Sequence, residues 1–175
     1  GAFAPTSLES AAQALPEANL AMISVAGRYA GEVAMAALRR GLHVMLFSDN
    51  VPIETEVALK KFARSRGLLV MGPDCGTAII NGVPLAFANA VSRGDIGIVA
   101  AAGTGLQEVS SIISNEGAGI SQAIGTGGRD VKKDVGGIMF LEGLKALAED
   151  EATTVIVLVS KPPHESVFKE LGAAV

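Results

Sequence analysis

The chain is poor in the residues on which several common kinds of protein depend. It has one cysteine, Cys75, which excludes an internal disulfide framework and fits a reducing cytoplasm. Its two histidines, His43 and His164, lie far from that cysteine and from each other. They make no zinc site, and no metal is predicted. Tryptophan is absent, and aromatics are only 4% of the 175 residues. With a net charge of -4, no basic run and no aromatic-basic alternation, the chain lacks the footprint of a nucleic-acid binder. Its longest apolar runs fall far short of a bilayer span, and it shows no signal peptide. The expectation is a cytoplasmic protein with neither nucleic-acid nor membrane partners.

Apolar residues are plentiful, at 49%, and 21 glycines accompany them. A core of Val, Ile, Leu and Ala with tight turns points to an α/β protein with parallel sheets. "LAMISVA" from Leu20 reads as a strand. "YAGEVAMAALRRG" reads as a helix with Val33, Ala36, Ala37 and Leu38 on one face and Gly41 as its stop. "HVMLFSD" is a second strand. Pro52 opens a helix with acids early and bases late, and "LLVMG" is a third strand. Residues 73–94 break this rhythm and read as a connector with a hairpin at Asn81-Gly82. The alternation then restarts with strands at 96–101, 119–125 and 153–159 and helices at 105–115 and 138–148. Leu106, Val109, Ile112 and Ile113 form the apolar face of the first of these helices. Three strands in each half predict two separate sheets with open edges.

In a parallel sheet the carboxyl ends of the strands line the ligand crevice. Four such ends carry unusual residues: Ser48-Asp49-Asn50, Gly103-Thr104-Gly105, Gly125 to Arg129, and Ser160-Lys161-Pro162-Pro163. Gly103, Thr104 and Gly105 open a helix whose free N–H groups could hold an anion, or whose glycines could serve close helix–sheet packing. In "GTGGRD", Gly127 and Gly128 can form a backbone nest, and Arg129 can pair a phosphate or carboxylate; an Arg129–Asp130 surface turn is the alternative. Lys161 is either a point charge for an anion or a solvated loop lysine. Cys75 reads as a buried structural thiol, His43 as structural, and His164 as a surface or capping group. Lys60-Lys61 and Lys132-Lys133 read as solvated faces.

"MGPDCG", "IGIVAAAGTGLQEV", "GTGGRD" and "HVMLFSDNVP", in this order over about residues 5–159, resemble the α subunit of succinyl-CoA synthetase. "MGPDCGTA", "PLAFAN", "GTGLQE", "GGRD", "VGG" and "VSKPP" resemble one branch more specifically, the FdrA family of acyl-CoA-synthetase-like proteins. The resemblance implies a Rossmann-like CoA-binding-type domain over 1–76, lacking its N-terminal part. It implies a connector over 77–94 and a flavodoxin-like ligase-type domain over 95–175, lacking its C-terminal part. It places Phe47, Ser48 and Asp49 on coenzyme A contacts. It implies coenzyme A or phosphate as cofactor, a small anionic substrate, and other subunits or a second copy as partners.

Some FdrA relatives are subunits of an oxamate carbamoyltransferase in anaerobic allantoin breakdown, which converts oxalurate and phosphate to oxamate and carbamoyl phosphate. The expected function is therefore a subunit of a carbamoyl- or acyl-transferring enzyme. The alternatives are a nucleoside-diphosphate-forming acyl-CoA synthetase and a non-catalytic assembly subunit. No general base or nucleophile is predicted. The synthetase family's phosphorylated histidine, in a Gly-His-Ala-Gly segment, is matched by neither histidine here, and Lys161 stands where that family has a glutamate.

Overall fold

The computed structural model describes residues 4–174. A short helix, α1 (Leu8–Ala14), precedes three parallel strands, β1 (Leu20–Ile23), β2 (His43–Leu46) and β3 (Val70–Met71). These are linked by α2 (Gly27–Arg39) and α3 (Ile53–Ser65). The strands form one sheet in the order β1-β2-β3. A helical crossover between parallel neighbours is what the alternation in sequence requires. The buried face of α2 is Ala30, Ala34, Ala37 and Leu38. Ala36, expected on that face, is exposed, because the helix turns its Ala30–Ala34 side to the sheet.

The second sheet has five strands, not three. It contains β4 (Thr77–Ile80), β5 (Val83–Ala86), β6 (Arg93–Ala100), β7 (Ile120–Gly125) and β8 (Val155–Val159), in the order β5-β4-β7-β6-β8. Residues 77–86, read from the sequence as connector, form the expected hairpin about Asn81-Gly82, with φ of 51° and 80° at the turn. That hairpin joins the sheet by antiparallel pairing of β4 with β7. It covers an edge of β7 that would otherwise be open. Gln122 fastens the turn: its Oε1 accepts from Asn81 N at 2.7 Å and its Nε2 donates to Asn81 Oδ1 at 2.7 Å.

Helix α4 (Gly103–Asn115) covers one face of this sheet. Leu106 is buried there and Val109 and Ile113 pack against the core, while Ile112 is half exposed. Helices α5 (Ile138–Ala148) and α6 (Glu165–Ala174) contribute Phe140, Leu144, Leu147, Val167 and Leu171 to a core that also takes in Met45 and Met71 of the first sheet. Ile138 and Met139 of α5 reach the first sheet's own core. Helix α5 is therefore shared between the two sheets. The free edge of β3 is capped by it: Val70 N donates to Met139 Sδ at 3.2 Å. Among the described residues no helix is long and apolar enough to cross a membrane.

Candidate functional site

The largest fully buried side chain is a lysine. Lys60 was expected on a solvated face with Lys61, and that expectation is wrong: Lys60 is completely buried, while Lys61 is exposed. The physical reason is compensation. An ammonium has three N–H donors, and all three are used. They go to Glu56 Oε1 at 2.7 Å, Asp130 Oδ1 at 2.8 Å and the carbonyl of Thr126 at 2.9 Å. Glu56 and Asp130 are equally buried.

Asp130 also caps α5, whose N-cap, Gly137, has no side chain to offer. Its Oδ1 accepts from Met139 N at 3.2 Å and its Oδ2 from Phe140 N at 2.8 Å. A carboxylate at a helix N-terminus is favoured by the helix dipole as well. The group ties α3 of the first sheet to the turn after β7 in the second.

Arg129 belongs to the same group. Its Nη2 donates to the Val51 carbonyl at 2.8 Å, and its Nε lies 2.8 Å from Glu56 Oε2. The latter is an ion-pair contact only: the N–H does not point along it, so Oε2 accepts no aligned hydrogen bond. Arg129 thus turns toward α3 rather than toward Gly103–Gly105, and Asp130 is bonded to Lys60, not to Arg129.

The other residues singled out at strand ends fall on one edge. Strands β7, β6 and β8 are parallel neighbours, with Ala100 opposite both Gly125 and Val159. The turns that follow them are therefore adjacent. Gly128 lies beside the end of β6, with its Cβ position 3.7 Å from the Ala101 carbonyl oxygen. Gly103 and Thr104 are exposed, and among the described residues no side chain caps α4, so its first-turn N–H groups have no capping side chain. Gly105 has a packing role too: a Cβ there would come 2.9 Å from Val159 Cγ1. Lys161 is exposed at the end of β8 and makes no ion pair among the described residues. Gly127, at φ +82°, packs against the first sheet's last turn, where a Cβ would overlap the Pro73 carbonyl oxygen.

Asp74 and Gly76 of that turn, residues 72–76, line a crevice of about 540 Å³ with Ser24, Val25, Ala26, Phe47, Ser48, Asp49 and Phe87. Phe47, Ser48 and Asp49 follow β2, and Ser24–Ala26 follow β1, so this is the first sheet's carboxyl edge. Ser48 Oγ donates to the Val25 carbonyl at 2.5 Å and joins the two strand ends. Sequence reasoning missed Asp74 and Phe87 as partners of residues 47–49, since only the fold brings the hairpin beside β2. Cys75 is buried, as expected, and burial pushes its thiol pKa up. His43 accepts from Leu69 N at 3.0 Å through Nδ1, and burial lowers its pKa. His164 Nδ1 accepts from Ser166 N at 3.3 Å at the start of α6.

Comparison with known proteins agrees with this architecture. A family described as "CoA binding domain" matches residues 91–175, the half assigned by resemblance to the ligase-type domain. The uncharacterized protein YahF of Escherichia coli (strain K12) is 55% identical over 162 residues, which is 93% of this chain and 32% of that protein. The succinate–CoA ligase (ADP-forming) subunit alpha 1 of Archaeoglobus fulgidus is 27% identical over 148 residues, 82% of this chain and 50% of that subunit. The structure of ATP citrate lyase from Methanothrix soehngenii, in complex with citrate and coenzyme A, aligns with a TM-score of 0.81 at 21% identity. That alignment covers 95% of this chain and 29% of the lyase. The chain thus spans about a third to a half of the curated relatives it matches. Its sequence is similar to that of succinate–CoA ligase alpha subunits, and it shares the lyase's fold over nearly the whole length of this chain.

Proposed function

We propose that this chain is part of an FdrA-type subunit of an acyl-CoA-synthetase-like enzyme. Coenzyme A lies between its two halves, and a small carboxylate or phosphate is held at the second sheet's carboxyl edge. The observation that carries this reading is the turn 72–76. Its Asp74 and Gly76 line the crevice with Phe47, Ser48 and Asp49, while its Pro73 abuts Gly127. A ligand extending out of the crevice past this turn arrives beside the glycine turns. The match of a CoA binding domain to residues 91–175 supports a role for the second half in holding the same cofactor.

At that edge the chain's own groups act by charge and orientation. The free N–H groups of Gly103, Thr104 and Gly105, the backbone at Gly127 and Gly128, and the Lys161 ammonium stabilise a bound oxyanion and the charge that develops as an acyl group is attacked. Arg129, held by Glu56 and Val51, contributes by keeping the Gly127–Gly128 turn in place. Coenzyme A supplies the thiol that carries the acyl group.

Two chemistries fit. The identity to succinate–CoA ligase subunits favours nucleoside-diphosphate-forming acyl-CoA synthesis. Lys161, a cation where a phosphohistidine enzyme would need a carboxylate, favours direct transfer of a carbamoyl or acyl group to or from phosphate. A non-catalytic assembly role remains the third reading. The test is one assay on the full-length protein, with and without co-expressed partner subunits, in the cytoplasmic pH range. Oxalurate plus phosphate is compared with succinate plus coenzyme A and ATP. Turnover of the first pair assigns carbamoyl transfer, and turnover of the second assigns the ligase. Turnover of neither in the assembled complex overturns the enzymatic reading.

A further inference from the structure

We infer that Arg129 is a positioning residue that links the two ligand edges. Held on Val51, it fixes the middle of the Gly127–Gly128 turn, so that coenzyme A at the first edge and an oxyanion at the second strengthen each other's binding. This rests on the reading of the chain as a subunit that holds both.

The observation is one guanidinium divided unequally between two acceptors. Nε and Nη2 form one edge of the arginine fork, and their N–H groups point the same way. Nη2 donates to the Val51 carbonyl at 2.8 Å, while Nε stands 2.8 Å from Glu56 Oε2 without an aligned bond. Both acceptors belong to buried residues. Among the described residues the Val51 carbonyl has no other donor, and Oε2 has none at all. A buried acceptor without a donor is costly. Turning the fork so that Nε–H points along Oε2 satisfies the carboxylate and strips the carbonyl. One bond is exchanged for another, so the two positions lie close in free energy. The Arg129 side chain is 44% exposed and has room to make this shift.

Each ligand edge touches one end of the link. Val51 closes the loop after β2, and residues 47–49 of that loop line the crevice. The loop is otherwise held by backbone: the Ser48 carbonyl accepts from Asp74 N at 3.0 Å, and the Asp49 and Asn50 carbonyls lie so close to Gly27 that a Cβ there would overlap them. A ligand seated on residues 47–49 steadies the loop and keeps the Val51 carbonyl within reach of Nη2. At the other end, Lys60 pins the turn after β7 at Thr126 and at Asp130. Between those points Gly127 and Gly128 carry no side chain, so Arg129 is the one side chain that holds the middle. An arginine with two positions, each favoured by one state of the loop, is the kind of element that both edges can bias. Linkage then makes the effect mutual.

Calorimetry on the full-length protein tests this. Phosphate binding is measured with and without saturating coenzyme A, and coenzyme A binding with and without saturating phosphate. The wild type is expected to gain affinity by the same factor in both directions, about fivefold, the lower end of coupling between sites. Arg129→Lys keeps a charge beside Glu56 but has no fork to divide, and Arg129→Ala removes the side chain; both are expected to bring the factor to about one. A change that only loosens the structure would weaken each ligand and leave the factor in place. Lys161→Ala, outside the link, is expected to weaken phosphate and keep the factor. Wild-type affinities that ignore the other ligand, or a factor that survives in both Arg129 variants, overturn the inference and leave the coenzyme A reading standing. A wild type that binds no coenzyme A, or no phosphate, overturns both.

Discussion

Lys60 and Lys161 carry the same ammonium, and the fold treats them in opposite ways. Lys60 is sealed between the two sheets with every donor used. Its charge and that of Arg129 balance Glu56 and Asp130, so the buried group is neutral as a whole. Lys161 stands in water at an edge where, among the described residues, no side chain caps the first turn of α4. The first arrangement has no ammonium donor left for a ligand. The second has nothing else to do with its positive charge. Cationic residues near glycine turns therefore divide into those that fasten the halves together and those free to bind, and Arg129 falls with the fasteners.

The sharpest way to break this comparison is to remove the buried cation. Lys60→Met leaves two carboxylates facing each other in a dry interface. Loss of one partner of a buried ion pair costs about 3–5 kcal/mol, so this variant should be severely destabilised in urea unfolding. Lys61→Met, one residue along on the exposed side, should stay within about 0.5 kcal/mol of wild type. Equal effects would mean that the buried group does not hold the halves together.

Asp130→Asn tests the second job of the same group. The amide keeps one oxygen for an N–H of α5 but turns an NH₂ toward the other, and the compensation of Lys60 is halved. Leaving buried partners unsatisfied costs about 1–3 kcal/mol. Its unfolding midpoint should fall between those of Lys60→Met and the wild type, with slope unchanged.

Much of this fold is legible in the sequence because it is local. Strand–helix alternation, the Asn81-Gly82 hairpin and the end of α5 follow from periodicity and turn chemistry within a few residues. The join of that hairpin to β7 was not legible, because it depends on which edge the other strands leave open. Lys60 was misread for a different reason. Glu56, Leu59, Lys60 and Ala63 recur at helical spacing and all are buried, so the stripe itself was the signal that two charges sit on the inward face. Reading Lys60-Lys61 as a pair of like charges hid it. The direction of Arg129 and the meeting of Phe47 with Phe87 are set by how the two sheets pack, which no single segment encodes.

His43 gives a smaller effect with a definite sign. Its pKa is lowered from the ordinary 6.5 by burial, and its Nδ1 must stay unprotonated to accept from Leu69 N. It lines a cavity with Asn19, Leu20, Leu69, Met71, Ile80 and Asn81, and no charged side chain faces it there. Below pH 6.5 the unfolded chain binds a proton that the folded chain resists, so stability rises with pH in this range. The stabilisation is complete above about pH 6.5 and is lost as pH falls through the lower folded value. In His43→Gln the midpoint between pH 5 and 7 should be flatter than in wild type. An unchanged slope would assign the acid sensitivity to other groups.

Lys161→Ala should have the smallest effect on stability and the most selective effect on binding. The side chain is exposed and makes no ion pair among the described residues, so its removal should leave the unfolding stability within about 0.5 kcal/mol of wild type. What it removes is a charge beside the α4 turn. Exposed ion pairs contribute about 0.5–1 kcal/mol, which is roughly a two- to fivefold loss in affinity for phosphate or oxamate by calorimetry, and less at high salt. Arg129→Ala makes the matched control. Arg129 is half exposed but committed to Glu56 and Val51, so its loss should lower stability and alter anion affinity only through the turn it anchors. If Lys161→Ala binds phosphate as wild type does while Arg129→Ala loses it in proportion to its instability, the edge is not an anion site. Gly105 would then serve the packing of α4 on β8 alone.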